Sequence, residues 1–182
     1  MKKTHTSAVV VIPPREVWDS IQNIRKKHDR QFYRWMPHVN LIYPFRPEIE
    51  FDSLTPEFEN KCKKIESFEV SLKDFKYFHY GKNRYTVWLE PTPTSPIKAL
   101  QSEILKIVPD CDDLNKHKGG FTPHLSVGQI NRKINLKEMV DSFKRSWETI
   151  RFTIKEIYFI TRQKNNESSF QVKKRICLKY KN

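Results

Sequence analysis

Glycine is scarce in this chain of 182 residues: there are four, at positions 81, 119, 120 and 128. Walker loops and GxGxxG fingerprints need closely spaced glycines, so both are excluded, and with them the usual cradles for nucleoside triphosphates and dinucleotides. Cysteine is scarcer still. Cys62, Cys111 and Cys177 are odd in number, far apart and without a CxxC pair. Neither a disulfide framework nor a zinc ribbon follows, and a reducing compartment, the cytoplasm or the nucleus, is expected. The histidines show no HxxxH or HExxH spacing, so no metal and no cofactor is expected. Long apolar runs are missing as well. Ala8–Ile12 stops at Pro13-Pro14, too short for a signal-peptide core or a membrane span, so no membrane association is expected.

Acidic side chains are in deficit, 21 against 34 Lys and Arg, for a formal charge of +13. Such a balance favours polyanionic partners, nucleic acid foremost. The excess is uneven: residues 1–90 carry 16 basic and 12 acidic side chains, residues 91–182 carry 18 and 9. Scattered lysines on a solvated surface would give the same totals, so charge alone does not decide the function.

What the chain does contain is one short motif written twice. Pro37-His38-Val39-Asn40-Leu41 is followed 86 residues on by Pro123-His124-Leu125-Ser126-Val127. On a strand, residues i and i+2 share a face while i+1 and i+3 point to the other. Each motif thus offers one imidazole and one short polar side chain to a common surface. Two such strands side by side would let one imidazole take a proton while the other gives one.

The surrounding pattern repeats too. An opening strand at 6–12 precedes a helix with Val17, Ile21 and Ile24 on one stripe, then the first motif strand, His38–Phe45. A helix through Leu54, Phe58, Cys62 and Ile65 follows, with Ser53 or Thr55 as N-cap and Pro56 in its first turn. Strands Phe68–Tyr77 and Tyr85–Glu90 close the first lobe, about 14–90. The second lobe, about 95–178, starts with a helix at Ser95-Pro96. It continues through the loop Asp110–Gly120, read as mobile, and the motif strand His124–Ile130. A helix from Leu136 and strands Phe152–Thr161 and Phe170–Leu178 complete it. The chain reads as one domain, 1–182, built from a degenerate duplication.

With its duplicated order and paired His-x-Asn and His-x-Ser motifs, the chain resembles the two-histidine (2H) phosphoesterase superfamily, within it the 2′-5′ RNA ligase and cyclic phosphodiesterase branch. The resemblance implies an α+β, bilobal fold with two antiparallel sheets around a central basic cleft and helices outside. It makes His38 and His124 the catalytic pair and Ser126 a ligand for phosphate oxygen. Asn40 stands where the family has Thr or Ser; its amide can donate to phosphate as a hydroxyl does. The implied activity is metal-independent phosphodiester hydrolysis at RNA 2′,3′-cyclic phosphate ends, or at 2′-5′ linked or cyclic nucleotides, giving a 2′-phosphate. A catalytically weak RNA-binding module with the same cleft is the alternative. Partners are RNA or oligonucleotide ends or a cyclic nucleotide, and a monomer is expected.

Three further side chains are candidate substrate contacts. Tyr43 shares a face with Leu41, which favours packing. Trp88 offers an indole for base stacking or a core anchor, and Arg162 ends a strand in the more basic half. His117 is read as a surface side chain rather than a lining of the cleft.

Overall fold

Two four-stranded antiparallel sheets make up the computed structural model, which describes residues 2–81, 83–130, 136–165 and 168–180. In chain order the elements are β1 (Ser7–Val11), α1 (Trp18–His28), β2 (Val39–Ile42), α2 (Phe51–Cys62), β3 (Phe68–His79), β4 (Tyr85–Thr92) and α3 (Ser95–Leu105). Then follow β5 (Leu125–Ile130), α4 (Leu136–Ser146), β6 (Ile150–Ile154), β7 (Glu156–Thr161) and β8 (Gln171–Cys177). The strand orders are β2-β1-β7-β8 and β5-β4-β3-β6. The α+β architecture with two antiparallel sheets expected from the sequence is present.

The sheets match position for position, with a motif strand at one edge of each. They are not, however, the two halves of the chain. β3 and β4 join the second motif strand, while β7 and β8 join the first. The helices exchange as well: α1 lies against β5, and α3 against α2 and β2. Lobes bounded at 14–90 and 95–178 therefore do not describe the fold.

The segment read as one strand, Phe152–Thr161, makes this exchange possible by being two strands. Ile154 pairs with Phe68 in one sheet and Phe159 pairs with Val9 in the other. Lys155, between them, belongs to neither; its carbonyl accepts from the Leu178 amide at 2.8 Å.

Each face of the first sheet has its own core. On one, Phe159 is met by Phe45, Phe51 and Phe58 at ring distances of 5.0, 5.2 and 4.8 Å. Burying each such ring is worth roughly 2 kcal/mol. On the other, Ala8, Val10, Ile160 and Phe170 form a buried floor beneath Trp35 and Tyr43. That second face looks into the cleft.

Two local expectations need correcting. α2 begins at Phe51, directly after a 3-10 turn over Glu48–Glu50, so Ser53 and Thr55 lie inside it. Their hydroxyls bond back to the carbonyls of Glu50 and Phe51 instead of capping the helix, and Pro56 falls in its second turn. The Asp110–Gly120 loop holds a 3-10 turn, Asp113–Lys116, and is tied down by Arg46 to Asp110 and Lys3 to Asp113.

Candidate active site

Both motif strands are sheet edges, and β2 and β5 lie side by side. An edge strand has one flank unpaired, so each motif can show its polar face to the other sheet. Gly128 helps bring the walls together. A Cβ there would sit 2.7 Å from the His28 Cβ and 3.1 Å from its carbonyl oxygen, so only glycine lets the end of α1 reach β5 this closely.

The two histidines are held alike. His38 Nδ1 lies 2.7 Å from the Met36 carbonyl and His124 Nδ1 lies 2.8 Å from the Thr122 carbonyl, in each case two residues upstream across the motif proline. A carbonyl only accepts, so Nδ1 carries the proton in both rings and Nε2 is left for chemistry. The same device appearing at equivalent places in two sheets is the strongest functional signal in the molecule.

A pocket of about 310 Å³ contains His38, Asn40 and Ser126 together, drawing on both motifs. Tyr43 and Arg162 line it as well. β2 ends at Ile42, so strand alternation does not govern Tyr43, which turns into the cleft rather than the core; its hydroxyl donates to the His5 carbonyl at 3.3 Å. His124 lines a neighbouring pocket of about 220 Å³ with Phe78, Tyr80 and His117; His117 is exposed, as expected, yet borders the second histidine's pocket. Trp88 does not reach the His38 pocket. It is 4% exposed, stacked on Phe78 at 4.9 Å and edge-on to His124 at 5.8 Å, supporting that ring from behind.

Several wall residues escaped the sequence reading. Trp35 stacks on His38 and on Phe170, the latter at 3.7 Å, and meets Tyr43 edge-on at 5.6 Å. Arg25 is buried behind them, paired with Asp29 at 2.8 Å and donating to the Trp35 carbonyl at 2.8 Å. A signal existed: Arg25 follows Ile21 by four residues and so falls on the buried stripe of α1. Arg25, Arg34 and Arg162 face the pocket against one carboxylate, Asp29, leaving it cationic.

Both imidazoles are pushed toward the neutral form. For His38 the main cause is burial, opposed by the Met36 carbonyl and reinforced by the charges of Arg25 and His124; Asp29 works against them, and the result is about 4. For His124 burial again leads, the Thr122 carbonyl opposes it, and His117 adds to the lowering. Among the described residues no three His, Cys, Asp or Glu side chains gather to hold a metal ion, and no helix is long and apolar enough to cross a membrane.

Imidazoles held alike on matched sheet edges, His38 in a cationic pocket and His124 in the pocket beside it, are the arrangement expected of a two-histidine phosphoesterase. Residues 13–166 match the family model of the 2′-5′ RNA ligase superfamily, and the chain belongs to that family. A protein of Geobacillus kaustophilus bearing the name "Putative phosphoesterase" is 21% identical over 122 residues, which is 66% of this chain and 67% of that protein. Escherichia coli LigT, crystallised with 3′-AMP, superposes with a TM-score of 0.64 at 13% identity, covering 97% of this chain and 99% of LigT. TT0787 of Thermus thermophilus gives 0.64 at 14% identity, with 97% and 99% covered. At these identities the two structures speak to the fold.

Proposed function

We propose that the cleft hydrolyses 2′,3′-cyclic phosphate ends of RNA, or related 2′-5′ linked or cyclic nucleotides, by two-histidine acid/base catalysis without a metal. The matched Nδ1-to-carbonyl bonds carry this reading, because they free the same nitrogen on both rings. Membership in the family supports it, and the complex of LigT with 3′-AMP supports a nucleotide as the ligand class.

His38 is the base and His124 the acid. With Nδ1–H given to the Met36 carbonyl and the Asn40 Nδ2 3.2 Å from Nε2, His38 Nε2 is the unprotonated nitrogen that a base needs. Water attacks phosphorus and gives its proton to His38 Nε2; the P–O3′ bond breaks; His124 Nε2–H protonates O3′, leaving a 2′-phosphate. The Ser126 hydroxyl and the Asn40 amide bind non-bridging oxygens, while Arg162 and Arg34 offset the charge on phosphorus.

An oligonucleotide ending in a 2′,3′-cyclic phosphate, incubated with the protein in EDTA, tests this. A 2′-phosphate product supports the reading. Binding without turnover would assign a binding module instead, and activity only after a divalent ion is restored would overturn the metal-free step.

A further inference from the structure

Asn40 stands where the two-histidine pattern has Thr or Ser, and its longer side chain reaches the histidine of its own motif. Its Nδ2 lies 3.2 Å from His38 Nε2, within its own motif. Because His38 Nδ1 already donates to Met36, Nε2 of the neutral ring has a lone pair and no proton, and only the N–H side of the amide can bond to it. The lone pair that must accept the proton from water is thus occupied in this structure. Meanwhile Asn40 Oδ1 is buried with no hydrogen-bond partner among the described residues. Rotating the amide away therefore breaks one hydrogen bond, not two.

We propose that Asn40 is a substrate-released cap on the catalytic base. In the free protein its amide N–H sits on His38 Nε2 and holds the ring neutral; when a phosphate enters, the same N–H moves to a non-bridging oxygen and uncovers Nε2. An anionic oxygen is the stronger acceptor, which drives the exchange. The base is then bare only when a phosphodiester is in place. The charged groups around the ring act in the same direction or are fixed: Arg25 and His124 oppose the imidazolium, Asp29 is tied to Arg25, and Arg34 and Arg162 face the pocket. This rests on the proposed reading of the cleft as a phosphodiester site, in which Asn40 covers His38 before substrate enters and binds its phosphate afterwards.

NMR titration of the His38 imidazole in the wild type and in Asn40→Thr, each with and without saturating inorganic phosphate, tests the exchange. In the free protein the His38 midpoint should lie about 0.5–1 pH unit higher in Asn40→Thr, the value of one neutral hydrogen bond. Asn40→Asp should raise it further, by about 1–3 units, through an ion pair with the imidazolium. With phosphate bound, the difference between wild type and Asn40→Thr should vanish. Equal midpoints in the free proteins would overturn the cap. A difference that persists undiminished with phosphate bound would overturn the release. Phosphate that perturbs neither histidine, while the free-protein difference is present, would instead sink the phosphodiester reading and the release with it. None of these readouts requires turnover, so the cap and the activity can fail separately.

Discussion

Trp35 lies flat against His38, with ring centroids 4.4 Å apart and planes 15° from parallel. The indole is itself clamped by Phe170, while Arg25 holds its backbone carbonyl. The proposed base is therefore aimed by a stack of rings rather than by a carboxylate.

Removing that stack should cost rate rather than binding. Trp35→Leu is expected to lower kcat by about 10–100-fold with little change in KM, since a small misplacement of a reacting group is enough for such a loss. Steady-state kinetics, with circular dichroism to verify the fold, checks this. An unchanged kcat would show that the Met36 carbonyl alone aims the ring.

The rate should peak on the acid side of neutrality. His38 must be neutral, which requires a pH above about 4, and His124 must be protonated, which requires a pH below its own lowered value. The kcat/KM profile should be a bell whose maximum lies between about 4 and 6.5, the ordinary imidazole value. A maximum above pH 7 would contradict the lowering of both imidazoles by burial.

His38 also ties stability to pH. In the unfolded chain it titrates near 6.5, in the folded protein near 4, so between these values the unfolded state holds more protons. Stability is thus fully present above 6.5 and falls as the pH drops toward 4, by on the order of 3 kcal/mol from this group. Urea unfolding at pH 7.5 and 4.5 should show a smaller drop for His38→Gln than for the wild type.

Gly128→Ala tests how α1 meets β5. The added methyl would fall against the His28 backbone as well as its Cβ, where no side-chain rotation can relieve it. A loss of about 1–3 kcal/mol in denaturant unfolding is expected.

Most of the fold was legible because period-2 and helical patterns are local. The motif strands, α1, α3 and β3–β4 all lie where alternation and Pro or Gly punctuation put them. The strand exchange was not, because Ile154-Lys155-Glu156 crosses between sheets with no Gly or Pro to mark the break; the one trace is a slip of one residue in the apolar phase, from Phe152 and Ile154 to Ile157 and Phe159. In the site, His38, His124, Asn40 and Ser126 were visible by repetition, and Arg162 by its place at a strand end. Trp35 and Asp29 were not, since they sit in a segment without period whose role exists only after α1 packs across the cleft onto β5. Trp88 was ambiguous for the same reason: alternation gives its face, and only the packing of Phe78 over it decides that it is covered.

Single-turnover hydrolysis of a 2′,3′-cyclic phosphate end in EDTA by wild type, His38→Ala, His124→Ala and the double variant bears most directly on the paired imidazoles. Each single change should cost at least about 10²-fold, and the double little more than either, because a base and an acid serving one phosphorus act as a unit. Either single variant retaining wild-type turnover would contradict it.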